Sequence, residues 1–131
     1  MKLNELAKVA DLARVYMESQ ERDTRSVNDI MNAMASGTFT PDPNYVVLCD
    51  YLDGLDYETI LGIEAALIFG RELIYDDDPT SYTECLEYVQ TEWGGDRGNK
   101  ELAIEYITGK VQALPEYLDA AISEIDLEVN A

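Results

Sequence analysis

Carboxylates are the only abundant side chains in this sequence that could do chemistry. The chain of 131 residues carries 27 Asp and Glu, nine Lys and Arg, and no His. Lack of histidine removes the Ser-His and Cys-His nucleophile arrangements, the usual general base at neutral pH, and most zinc and haem sites. The two cysteines, Cys49 and Cys85, form no Cys-x-x-Cys pair. Each sits in an apolar stretch and reads as a reduced, buried thiol. Gly94-Gly95-Asp96-Arg97-Gly98 is glycine-rich but lacks the Lys-Ser/Thr that completes a phosphate loop, so it reads as a turn. Asp53, Asp56 and Glu58 lie close together without the alternating acids, central glycine and distant glutamate of a calcium loop. Asp76-Asp77-Asp78 reads as a solvated turn leading to a helix cap rather than a cation site. Arg71, after Gly70, is expected to steady a helix C-terminus or to pair with a carboxylate. The sequence therefore predicts no enzyme, no metal and no cofactor.

The acids are unevenly placed. Up to position 35, five basic residues face six acidic ones, a net of −1; beyond it, four face 21, a net of −17. Such a field repels nucleic acid and membranes and attracts basic partners. Several acids recur three or four residues apart: Asp50 and Asp53, Glu84 and Glu87, Glu101 and Glu105, Glu116 and Asp119, Glu124 and Glu128. On a helix such pairs lie roughly 5–6 Å apart on one face and repel by about 0.2–0.5 kcal/mol each. Two explanations compete. The acids keep the protein soluble, or rows of carboxylates imitate nucleic-acid phosphates, which a duplex presents at about one per 1.7 Å of axis. Nine tyrosines, among them Tyr75, Tyr82, Tyr88, Tyr106 and Tyr117, lie among the acids. Tyrosine suits interfaces, although helical spacing points to core filling for Tyr82 and Tyr106.

The elements that must position these groups read as helices. Leu3, Leu6, Ala7, Ala10, Ala13 and Met17 recur at helical spacing, and the polar run Ser19 to Asp23 is expected to end that helix. Ser26 caps a short helix through Met34, with Val27, Ile30, Met31 and Met34 on one face. Asp42-Pro43 opens a helix that stops at Gly54, a residue suited to a left-handed C-terminal position. Asp56 caps the most hydrophobic stretch, about residues 56–72, which is apolar nearly all round and so belongs at the centre. Gly62 inside it is expected to allow a close helix contact. Pro79 to Trp93 repeats the acid-proline start. Asn99 caps a helix with Leu102, Ala103, Tyr106, Ile107 and Val111 inward. After Leu114-Pro115, a last helix runs to about Leu127 with Leu118, Ala121, Ile122 and Ile125 inward. The expected fold is all-α: a compact bundle of six or seven short helices around the central hydrophobic one, as a single acidic domain over residues 1–131. No apolar run approaches the roughly 20 residues of a membrane span. The N-terminus lacks the apolar stretch of a signal peptide. The bacterial cytoplasm is the expected location.

From Asp42 to Ile125 the chain resembles a bacterial domain family of unknown function, family 3775. The resemblance rests on Tyr51-Leu52-Asp53-Gly54-Leu55, on the acid-capped helix ending Ala65-Ala66-Leu67-Ile68-Phe69-Gly70-Arg71-Glu72, on Glu105-Tyr106-Ile107-Thr108-Gly109, and on Leu114-Pro115-Glu116-Tyr117-Leu118. It implies a helical fold and carries over no catalytic residue.

The function expected is that of a non-enzymatic acidic binding protein. It would imitate nucleic acid and inhibit a nucleic-acid-handling protein such as a CRISPR or restriction effector, as a phage or mobile-element anti-defence protein would. The expected contacts are Asp76, Asp77, Asp78, Glu84, Glu87, Glu101, Glu105, Glu116 and Asp119, against a basic protein surface and not against nucleic acid or membrane. The alternative is a bacterial housekeeping domain that self-associates, as a homodimer, through the apolar face of Leu118, Ile122 and Ile125.

Overall fold

The computed structural model describes residues 3–22, 26–37, 42–93 and 99–130. Among them are seven helices: α1 (Leu3–Arg22), α2 (Val27–Ser36), α3 (Pro43–Asp53), α4 (Tyr57–Tyr75), α5 (Tyr82–Trp93), α6 (Lys100–Thr108) and α7 (Leu114–Asn130). The described residues contain no strand. The fold is all-α with α4 at its centre, as the unbroken apolar character of residues 60–69 predicts. From Ile60 to Phe69 only Ile68 keeps appreciable exposure. Helices α5, α6 and α7 all pack on α4, while α1 packs on α7 and α3. Leu6, Val9, Ala10 and Ala13 of α1, Leu48 and Leu52 of α3, Tyr82, Cys85 and Val89 of α5, Ala103 and Ile107 of α6, and Leu114, Leu118, Ala121 and Ile125 of α7 complete the core. Each fully buried Leu, Ile or Phe contributes roughly 1.5–3 kcal/mol from burial. No helix among the described residues is long and apolar enough to cross a membrane.

Local chemistry sets the helix starts. Ser26 and Asp29 form a reciprocal capping box on α2. Asp42 accepts the Asn44 N–H at 2.8 Å and Pro43 takes the first turn of α3. Asp56 accepts from Thr59, and Asn99 from Leu102, each at 2.8 Å. These four caps stand where the sequence places them.

Other boundaries differ. Helix α1 carries through most of the polar run expected to end it and stops at Arg22. The Ser19 hydroxyl donates to Asp42 at 2.7 Å and the Gln20 amide to the same carboxylate at 3.1 Å, so this polar turn is tied to α3. Helix α4 continues to Tyr75, so Arg71 does not sit at its end. Helix α5 starts at Tyr82, not Pro79, and its cap is Ser81: the Glu84 N–H donates to the Ser81 hydroxyl at 3.1 Å. Gly54 is right-handed, with φ −79°; among the described residues the glycine that takes the left-handed position is Gly37, φ 74°, closing α2. The glycine that brings two helices together is Gly70. Its position against Tyr117 leaves no room for a side chain. At Gly62 the backbone carbonyl of α4 accepts the Tyr82 hydroxyl of α5 at 3.2 Å.

The two apolar faces also exchange roles. On α7, Leu118 and Ile125 are buried and Ile122 packs partly buried against the core, so this face is spent inside the molecule and is not free for self-association. Helix α2 has no buried residue; Val27, Met31 and Met34 are 73%, 61% and 62% exposed. Leu102 of α6 also turns outward, at 41% exposure.

Candidate functional site

The helices hold the acidic side chains outward. Asp76, Asp77, Asp78, Glu84, Glu87, Glu101, Glu105, Glu116 and Asp119 are all exposed. They come from the α4–α5 connection and from α5, α6 and α7. Their distribution is set by which helices meet. Tyr75 and Tyr117 pack edge to face with ring centroids 6.2 Å apart, which seats the end of α4 beside the start of α7. Tyr117 and then Glu116 push the Tyr75 hydroxyl pKa up. Asp76 follows directly, so the aspartate run begins next to Glu116. A second grouping borders a groove lined by Glu84 of α5, Tyr106 of α6 and Ile68 of α4.

Asp119 differs from the other eight. Arg14 of α1 bridges it at 2.8 Å and holds Asp11 at 2.7 Å. This joins α1 to α7, although such an exposed pair contributes no more than about 1 kcal/mol. The described cations are otherwise engaged or apart: Lys100 donates to the Asp53 carbonyl, and Lys110 stands 5.8 Å from the Tyr106 ring centre. The other eight acids have no paired cation among the described residues. Glu124 is half-buried on α7, and the Glu128 side chain lies outside the described residues.

The groove between α4, α5 and α6 encloses about 460 Å³ and is lined by Ile68, Arg71, Glu72, Thr80, Glu84, Cys85, Tyr88 and Tyr106. Glu72 is fixed within it. One of its oxygens, Oε2, accepts the Thr80 N–H at 3.3 Å, the Thr80 hydroxyl, and the Cys85 thiol at 3.6 Å. Arg71 is exposed at the rim and makes no ion pair within the described residues. Burial pushes the Cys85 thiol up, and it does the same at Cys49, so neither is an activated thiolate. Both thiols are free; Cys85 is buried and Cys49 half-buried. Tyr82 lies in the core, where burial takes its hydroxyl up to about 12. Tyr106 is half-buried, whereas Tyr88 stands out into solvent. Among the described residues no three acidic or cysteine side chains converge to hold a metal. Gly94-Gly95-Asp96-Arg97-Gly98 lies outside the described residues.

One further residue stands out in the structure that the charge and spacing arguments passed over. Glu64 sits in the middle of α4 with no exposed surface, and neither carboxyl oxygen has a hydrogen-bond partner. Burial raises its pKa to about 7. The signal was present: Glu64 interrupts an apolar run that covers every face of a central helix, so it had no outward face to occupy.

No known protein family, curated protein or solved structure matches this chain.

Proposed function

We propose that this chain is a non-enzymatic acidic binding protein that imitates nucleic acid. It occupies the basic nucleic-acid site of another protein, such as a CRISPR or restriction effector, and so serves as an anti-defence inhibitor of phage or mobile-element origin inside a bacterial cell. The observation that supports this most is the set of eight exposed carboxylates from one connection and three helices, none neutralised by a described cation. Carboxylates at helical spacing give dense charge of one sign on a rigid frame, as a phosphate mimic requires. The resemblance to family 3775 is part of the same proposal; it implies a bacterial helical domain and assigns no activity. The test is inhibition of purified defence nucleases. Inhibition should fall steeply with salt and be relieved by excess nucleic acid. Inhibition indifferent to both rejects the reading.

A second reading, self-association, draws support from α2. The apolar face has moved there from α7, and an isolated 10-residue helix is marginal in water without packing. Sedimentation across concentrations tests it: a species of constant mass rejects it.

A further inference from the structure

The groove between α4, α5 and α6 offers more than negative charge. Glu72 is held in place by three donors on Oε2, while Oε1 accepts none among the described residues. Glu84 and Tyr88 stand four residues apart on α5, both exposed and both on the groove wall. Residues at that spacing share a helix face. Tyr106 supplies an aromatic wall from α6, and Ile68 an apolar floor. A fixed carboxylate, a second carboxylate lining the same groove, and aromatic and apolar side chains around them match the needs of a guanidinium on a methylene stem. The carboxylates accept its N–H groups, a ring stacks on its plane, and the floor covers its methylenes. Lysine, a compact and strongly hydrated ammonium, uses the flat faces less well. The surrounding field, net −18 over the chain, favours a cation here over an anion.

We infer that this groove takes one arginine side chain of a basic partner, with Glu72 and Glu84 as its acceptors and Tyr88 as its stacking face; the partner in this statement rests on the function proposed above. Arg71 at the rim is then a competitor. It carries the same charge and makes no ion pair to occupy either carboxylate.

The site can be tested without any partner. Capped Gly-Arg-Gly, Gly-Lys-Gly and Gly-Glu-Gly peptides are titrated into the whole chain. Backbone and tyrosine-ring NMR signals are followed, with wild type compared against Glu84→Gln, Tyr88→Ala and Arg71→Gln. All three positions are exposed or on the rim, and spectra of each variant report its fold directly. The expected result is saturable shifts at Glu84, Tyr88 and Tyr106 with the arginine peptide. Binding should be severalfold weaker with lysine, about tenfold weaker in Glu84→Gln or Tyr88→Ala, and undiminished in Arg71→Gln. Shifts spread over the acids of α7 and indifferent to Tyr88→Ala would overturn the site. So would binding of the glutamate peptide lost in Arg71→Gln, which would make the groove an anion site. Inhibition of nucleases is read separately, so failure of the groove and failure of the inhibitor reading are distinguishable.

Discussion

Gly70 of α4 lies directly against the backbone of Tyr117 in α7. A Cβ built on Gly70 would stand 1.8 Å from the Tyr117 carbonyl oxygen and 2.6 Å from its carbon. Backbone cannot swing aside as a side chain can, so the two helices touch at this point because position 70 has no side chain. Farther along the same pair of helices, Tyr75 meets Tyr117 edge to face.

Gly70→Ala should therefore destabilise the fold, by about 3 kcal/mol or more, at the upper end of what overpacking costs. An ordinary helix position would gain from the same change. Denaturant unfolding measures it, and an unchanged midpoint would refute the close approach. Gly54→Ala is the control: its Cβ would meet only ordinary contacts at 3.6 Å, and Gly54 is right-handed.

Glu64 gives the pH dependence. In the unfolded chain its carboxyl titrates near 4.5, whereas in the fold burial holds it near 7. Between these values the folded state binds a proton that the unfolded state has lost. Its contribution is thus fully present below pH about 4.5, is lost as pH rises toward about 7, and stays lost above. Tyr57 faces the same carboxyl and has its own hydroxyl pushed up, first by burial and then by Glu64. Glu64→Leu should raise stability more at pH 8 than at pH 4, the difference reaching up to roughly 3 kcal/mol, because only the ionised carboxylate adds a charge to the cost of burial. The difference between variant and wild type matters, because the −18 charge adds its own slope to both. A gain independent of pH would contradict this account.

The fold was more legible than its boundaries, and the reason is physical. Ile60, Ile63, Leu67 and Phe69 announce a central helix because apolar side chains on every face cannot all meet water. Ser26, Asp42, Asp56 and Asn99 were readable as caps because each needs only its own backbone neighbours. The start of α5 was not, because two local signals compete there: Asp78-Pro79 and Ser81-Tyr82-Thr83-Glu84. Thr80 decides between them. Its N–H and hydroxyl both go to Glu72 on α4, which holds residue 80 out of the helix. That tie is tertiary and leaves no trace in local spacing. The outward acids were legible from charge and spacing, but the groove was not, since it forms only where three helices meet.

Ser81→Ala should accordingly cost about 1 kcal/mol, the usual value of a lost serine cap. Asp78→Ala should change stability by less than about 0.5 kcal/mol, since Asp78 is exposed and caps nothing. Thermal melts of the two variants compare them, and a larger loss from Asp78→Ala would restore the earlier helix start.

Helix α2 carries the prediction for self-association. Val27, Met31 and Met34 form its exposed apolar side, and Asp29 is its only charged residue. Met31→Asp places a charge on that side without touching the core. If two copies meet there, the variant should sediment as a monomer at concentrations where wild type does not. Equal mass for both at every concentration would remove α2 as the contact.

The acidic surface predicts a split between carboxylates that are paired and those that are not. Asp119 already spends its charge on Arg14 at 2.8 Å, so Asp119→Asn removes a link between α1 and α7. Its effect should be a loss of no more than about 1 kcal/mol in stability, with little change in inhibition. Asp76, Asp77 and Asp78 are exposed and make no ion pair among the described residues, so converting all three to Asn should leave the melting temperature nearly unchanged. The same triple change should weaken inhibition of the target nuclease and flatten its dependence on salt, because fewer charges then attract the basic site. The distinguishing measurement is inhibition against salt concentration for both variants beside wild type. If Asp119→Asn proves the more damaging to inhibition, the contact surface lies on the α1–α7 side. If neither changes the salt slope, these acids serve solubility alone.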